Sequence, residues 1–347
     1  MHHFKMTSSK SYLSKEESLS IKGLLILLII LAHNSLLCTR DGDSSDFYIW
    51  RNWLYTFHIQ SFFILPFLYG DKKVLSWKLL CKTILHDGLK LLTPYMWITA
   101  ICIIIRCIFI PNPINWDKII IAFIIGSQWL VSQAIGFHFL WFLPTFFTAT
   151  VIKRFFFSND TRGKLLLTII GLLVWIWDIL GLPWGFLSYL PFNPIAAIKY
   201  SFVGMTVRIV LDKSTISAKR IVHTTFVIAL FAISSILFLL IAPEPSKLPL
   251  VFTIFSLLMP FSFGLLLVVC CSGLGQFRWL HFFGKNSLQL YLFHVIVYNT
   301  LLHFLLPTQM NRLNLGTILF VLTVAICMLL AILLEHCTFL SKILFPR

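Results

Sequence analysis

The chain has 347 residues, 58% of them hydrophobic and only 12% charged, where a soluble domain carries about 25% charged residues; this excludes a soluble enzyme and marks a membrane protein. The net charge of +15 does not indicate nucleic-acid binding, because Lys and Arg recur between apolar runs, as juxtamembrane anchors do, and gather into no single patch. The eight Cys residues include no CxxC, and Cys270 and Cys271 are adjacent, so neither a zinc site nor a disulfide framework is expected.

Residues 1–17 are polar and show no small-residue cleavage site, so the first apolar run reads as a retained signal-anchor. That run is Ile21 to Cys38, IKGLLILLIILAHNSLLC, long enough to span a bilayer as a helix. Lys22 and His33 share one of its faces, roughly 16 Å apart along the axis. An ionisable group so deep in an apolar helix is a functional-site candidate; a His bonded to a neighbouring helix is the bland alternative, and spacing does not choose between them. The second span, Phe47 to Tyr69, carries Arg51 and His58 about two turns apart on one face. The basic, amphipathic stretch DKKVLSWKLLCKTILHDGLK then has the composition of a helix lying on the membrane surface.

A third span, Leu91 to Ile110, has Arg106 near its far end. The less regular region that follows, through Gly136, includes IIIAFIIGS, too short to cross and so re-entrant or half-buried. The fourth span, His138 to Ile152, holds Trp141 and a kinking Pro144. The fifth, Leu165 to Leu180, holds Asp178 at its end. Pro194–Leu211, Ile221–Ala242 and Leu250–Cys271 follow, then a basic loop with Lys285 and Asn286. The ninth span, Ser287 to Leu306, holds Tyr291 and His294, and the tenth is Leu315 to Glu335. The expected fold is all-α: a polytopic membrane protein, a bundle of about ten transmembrane helices. Its parts are a cytoplasmic segment at 1–17, a single transmembrane domain at 18–340 and a short cytoplasmic tail at 341–347.

With the N-terminus cytoplasmic, 21 of the 28 Lys and Arg residues fall at inward positions, all but Arg40, Arg51, Arg106, Lys118, Lys199, Lys247 and Arg312. The positive-inside rule therefore favours both termini inside. In this orientation Lys22 lies near the cytoplasmic surface, and His33, His58 and His294 lie near mid-depth. Three imidazoles at one depth can meet across a bundle, although sequence does not show that they do. No HxxxH or HxxE spacing occurs on one helix, and no metal site is expected.

Five segments in order resemble one family. KGLLILLIILAH resembles the first-helix signature of the acyltransferase family 3 integral-membrane proteins, a basic residue followed at distance by His. FHIQSFFILPFLYG is similar to the second-helix segment, HFLWFLPTFF to the WFL-P element, FVGMTVR to F-x-x-G-M-x-x-R, and GKNSLQLYLFHVIV to G-x-x-S-L-x-x-Y-x-x-H. Lys22 stands where Arg is commoner, Leu19 replaces an Asp often found just before it, and Leu65–Pro66 replaces a small SG pair.

The resemblance implies transfer of an acyl group, usually acetyl from acetyl-CoA, to a hydroxyl of a surface polysaccharide or its lipid-linked precursor, in a bacterial inner membrane. Acetyl-CoA would be a donor substrate, with no permanently bound cofactor; the other partners would be the glycan or lipid-linked sugar acceptor and membrane lipid. His33 becomes the candidate general base, with His294 and His58 as further catalytic candidates. Lys22 and Lys285 are candidates for the CoA phosphates, and Arg51, Trp141 and Tyr291 for substrate contact, each with an anchoring or packing alternative. An exporter or flippase for the same glycan, or a non-catalytic assembly subunit, would use the same kind of chain without covalent chemistry.

Overall fold

The computed structural model describes residues 11–38, 46–69, 77–109, 115–157, 161–213, 220–241, 248–305 and 310–346. The expectations for residues 1–10, and for most of the loops after the first and third spans, lie outside them. The α-helices are α1 (Lys15–Ala32), α2 (Asp46–Tyr55), α3 (His58–Leu68), α4 (Trp77–Phe109), α5 (Trp116–Ile125), α6 (Gln128–Ala134), α7 (Phe142–Ile152), α8 (Thr161–Ile179), α9 (Pro194–Lys213), α10 (Arg220–Ile241), α11 (Leu248–Leu274), α12 (Arg278–Lys285), α13 (Ser287–Leu305), α14 (Arg312–His336) and α15 (Thr338–Leu344). No strand occurs among the described residues.

Among the described residues, seven helical segments are long and apolar enough to cross a membrane: α4, His138–Phe156 around α7, α9, Thr224–Ile241 in α10, Leu250–Cys271 in α11, α13 and α14. The protein is a multi-pass helical membrane protein. The three other expected spans are also helical but more polar or broken. α1 carries Lys15, Glu16, Glu17 and Lys22, and α8 carries Arg162, Lys164 and Asp178. The second span is two helices, α2 and α3, instead of one.

The structure corrects three boundaries. The first helix covers Lys15–Ala32 and stops at His33, short of Cys38. It starts early because Ser14 and Glu17 form a capping box: the Ser14 hydroxyl accepts from Glu17 N–H and the Glu17 carboxylate from Ser14 N–H. It stops because the Asn34 Oδ1 accepts the N–H groups of Leu36 and Leu37 at 3.1 and 3.2 Å, turning the chain. The break between α2 and α3 involves neither Gly nor Pro. There the Thr56 hydroxyl donates to Trp53 O at 2.6 Å and the Gln60 amide to Tyr55 O at 3.0 Å, filling carbonyls that a continuous helix would use. The basic stretch before the third span is no separate surface helix from Trp77 onward. It is continuous with that span in α4, a 33-residue helix about 50 Å long.

By chain contacts the molecule divides into two units. One comprises Ser11–Tyr69 and Thr206–His336. Its centre is α1, which packs on α12, α11, α13, α3, α14 and α2, and whose Ile21, Leu25, Ile26 and Ile29 are fully buried. Protein therefore encloses α1, and its charges need not face lipid. The crossing of α1 and α12 depends on glycine: a β-carbon on Gly23 would strike the Leu280 carbonyl, and one on Gly284 the Leu19 carbonyl. Ahead of α1, the Tyr12 N–H donates to Leu68 O at 2.9 Å and its hydroxyl to Asp212 Oδ1 at 2.7 Å. Arg208 lies over the Tyr12 ring, pairs with Asp212 and donates to Phe67 O. Burial, and next the Asp212 carboxylate, push the Tyr12 hydroxyl up to about 12.

The other unit comprises the described residues of Gly70–Met205 and Cys337–Arg347. In it α4 packs on α7, and Arg154 reaches Asp87 on α4 with an N–O distance of 2.7 Å. α5 is ten residues long, capped by Asn115 and by left-handed Gly126, too short to cross, as expected for IIIAFIIGS. Asp178 at the end of α8 pairs with Lys199 and accepts from the Trp184 indole at 2.6 Å.

Candidate functional site

Three histidines from α1, α3 and α13 approach one another in the Ser11–Tyr69/Thr206–His336 unit. His33, the C-cap of α1, sits edge-to-face with His294, ring centroids 4.9 Å apart. Tyr55, the last residue of α2, lies 6.0 Å from His33 and 4.8 Å from His58, the first residue of α3. The Arg51 guanidinium lies over the Tyr55 ring at 4.0 Å. Tyr291 is 5.6 Å from His294, one turn away on α13. His58 and His294 are buried, and His33 is half-buried.

The local fold gives all three imidazoles one polarity. His33 Nδ1 lies 2.8 Å from Ile29 O, His58 Nδ1 2.6 Å from Leu54 O, and His294 Nδ1 2.6 Å from Tyr291 O. A carbonyl oxygen only accepts, so in each neutral ring the proton sits on Nδ1 and the lone pair on Nε2. The His58 Nε2 is buried with no hydrogen-bond partner among the described residues, an arrangement that protein interiors rarely leave unsatisfied. Such rings can accept a proton at Nε2 while the backbone holds their orientation.

The position of His33 is set by the turn that follows it. The Asn34 side chain is fully buried and its amide donates to Gly316 O at 2.7 Å on α14. Ser35 bonds the Tyr298 hydroxyl through both its N–H, at 2.9 Å, and its side chain, at 2.7 Å, and Arg312 donates to Leu36 O at 2.9 Å. The end of α1 is thereby tied to α13 and α14, the hairpin that carries His294.

A family model described as an acyltransferase domain, acyltransferase family 3, matches residues 20–332, nearly the whole chain, and the matched stretch contains every histidine of the cluster. The chain belongs to the acyltransferase 3 family. No curated protein matches it. This family member is accordingly a membrane acyltransferase, and the imidazole cluster is its strongest candidate for acid–base chemistry.

Of the residues singled out from sequence, His33, His58, His294, Arg51 and Tyr291 come together in this acyltransferase. Lys22 lies lower on α1, its ammonium 5.8 Å from the Tyr69 ring, whose hydroxyl bonds Ser18. Lys285 is exposed and ion-paired with Glu335 at 2.8 Å, so its charge already has a partner. Trp141 is buried in the turn ahead of α7 and belongs to the other unit. Sequence reasoning did not single out Tyr55, Asn34 or Tyr298. The spacing of Arg51, Tyr55 and His58 (i, i+4, i+7) was the available signal for the first.

Proposed function

We propose that this acyltransferase moves an acetyl group from acetyl-CoA to a hydroxyl of a surface polysaccharide or its lipid-linked precursor, with His33 as general base. The observation that carries the reading is the pair of contacting imidazoles, His33 and His294 at 4.9 Å, each with its Nδ1 proton held by a backbone carbonyl. The acceptor oxygen attacks the thioester carbonyl carbon while its proton passes to His33 Nε2. The C–S bond then breaks, and the thiolate leaves with the proton from the imidazolium. The products are an O-acetyl ester and free CoA.

His294 orients the His33 ring and is the second acid–base group, and His58 is the third. Arg51 supplies positive charge for the oxyanion. Lys22, on the His33 face of α1 roughly 16 Å away, meets phosphate of the CoA head; Lys285 is the lesser candidate because Glu335 already pairs with it. Tyr291, beside His294, is proposed to contact substrate. The site sits within a single transmembrane domain at 18–340 in a bacterial inner membrane, with both termini cytoplasmic.

The test is His33→Gln in the full-length protein reconstituted in nanodiscs with membranes carrying the native acceptor. CoA release and glycan acetyl mass should fall by about 10²–10⁴-fold, the scale of a general base, with an unchanged elution profile. Retained turnover removes His33 from this role. Absence of acceptor-dependent CoA release from the wild-type protein with a verified acceptor would instead favour export.

A further inference from the structure

We infer that Tyr55 is a positioning residue that holds the Arg51 guanidinium against the imidazole cluster. The inference rests on the reading of His33 as base and adds the means by which a cation is kept beside it. The sequence hides this residue among the aromatics of a span that includes Trp50, Trp53 and Phe57. In the structure Tyr55 ends α2, immediately before the break at Thr56–Phe57. Its ring meets three groups: Arg51 over its face at 4.0 Å, His58 at 4.8 Å in a T-shaped contact, and His33 at 6.0 Å.

A guanidinium over an aromatic face is attracted by the ring quadrupole, and the attraction grows when water is excluded. Arg51 is half-buried on α2, with a long, flexible side chain that would otherwise extend toward water. The Tyr55 face fixes its plane. The same ring abuts both imidazoles, so the cation and the bases are registered to one rigid body. The Tyr55 carbonyl takes part too: the Gln60 amide donates to it at 3.0 Å, clamping the end of α2 to α3. Acyl transfer develops negative charge on the carbonyl oxygen, and a cation held in place in advance stabilises it without reorganisation.

Three substitutions at 55 separate this role from packing. Tyr55→Phe keeps the π face and should retain kcat to within about threefold. Tyr55→Leu fills similar space without a π face and should lower kcat about tenfold, with the KM for acetyl-CoA nearly unchanged. Arg51→Ala should add little further loss in the Tyr55→Leu background, since the two act as one unit. Turnover is read as CoA release from labelled acetyl-CoA in nanodiscs with membranes carrying the native acceptor. Should Tyr55→Leu not assemble, fluorinated phenylalanines at 55 keep the ring shape while withdrawing π density. The rate should then fall stepwise with fluorine number.

Equal rates for the Leu and Phe variants, or a flat fluorination series, overturn the inference. His33→Gln, run alongside, separates it from the reading beneath it. An inactive His33→Gln with a fully active Tyr55→Leu removes only the Tyr55 role, whereas an active His33→Gln removes the base and this inference with it.

Discussion

A single buried amide decides where α1 stops and so where its histidine sits. Asn34 spends its oxygen on two N–H groups and its nitrogen on Gly316 O. Asn34→Ala would remove all three bonds and leave the half-buried N–H groups of Leu36 and Leu37 without their acceptor, at about 1–3 kcal/mol for such a group. The expected result is a lowered melting temperature together with a fall in turnover, because His33 loses its fixed place; differential scanning fluorimetry and CoA release measure the two. Tyr12 is a second case at this scale. Its folded pKa, about 12, lies above the ordinary tyrosine value of 10.0, so its contribution to stability is whole below pH 10 and is lost as pH rises toward 12. Between those values the wild-type melting temperature should drop more than that of Tyr12→Phe. Neither residue stood out in the sequence, where Asn34 reads as one more position in an apolar run. Its importance comes from a partner 282 residues away.

Among the elements, the meeting of α1 and α12 is the most exacting. Backbone touches backbone where Gly23 and Gly284 face Leu280 and Leu19, and backbone cannot step aside as a side-chain tip can. Gly284→Ala and Gly23→Ala should each destabilise by about 1–3 kcal/mol, the usual cost of overpacking. Gly273→Ala, at a helical position where a β-carbon meets nothing, should be neutral or slightly stabilising. Thermal melts of the three variants in one detergent check the contrast. Helix existence was legible from hydropathy, because runs such as 250–271 have no other stable form in lipid. The ends of α1 and the α2–α3 break were not. They are made by hydroxyls and amides bonding to nearby backbone, and Thr56 or Asn34 does this only where the surrounding fold permits.

For the molecule as a whole, the alternation of basic loops predicts which side each native cysteine faces. Cys81, Cys337 and Cys107 are exposed; in the proposed orientation the first two lie near inward span ends, and Cys107 lies at the far end of α4, roughly 39 Å from Cys81 along one helix. A membrane-impermeant maleimide should therefore label Cys81 and Cys337 in inverted vesicles and Cys107 in right-side-out ones. The reverse pattern, or all three from one side, would refute the orientation. The same depth argument brought the three histidines to one level from sequence alone, and the structure brings His33 and His294 into contact. What sequence could not supply was the rotation of each helix about its axis, which tertiary packing sets.

Because α1 is packed by α11 to α14 as well as by α2 and α3, it is made long before most of its neighbours exist. Translation must proceed for most of the chain before the Asn34 amide finds Gly316, 282 residues on. Meanwhile the nascent helix with Lys22 has only α2 and α3 of its eventual neighbours. Biogenesis of this protein is thus a problem of storage: a polypeptide halted ahead of α12 holds its central rod without α12, α13 and α14 and should be a prompt substrate for membrane proteolysis.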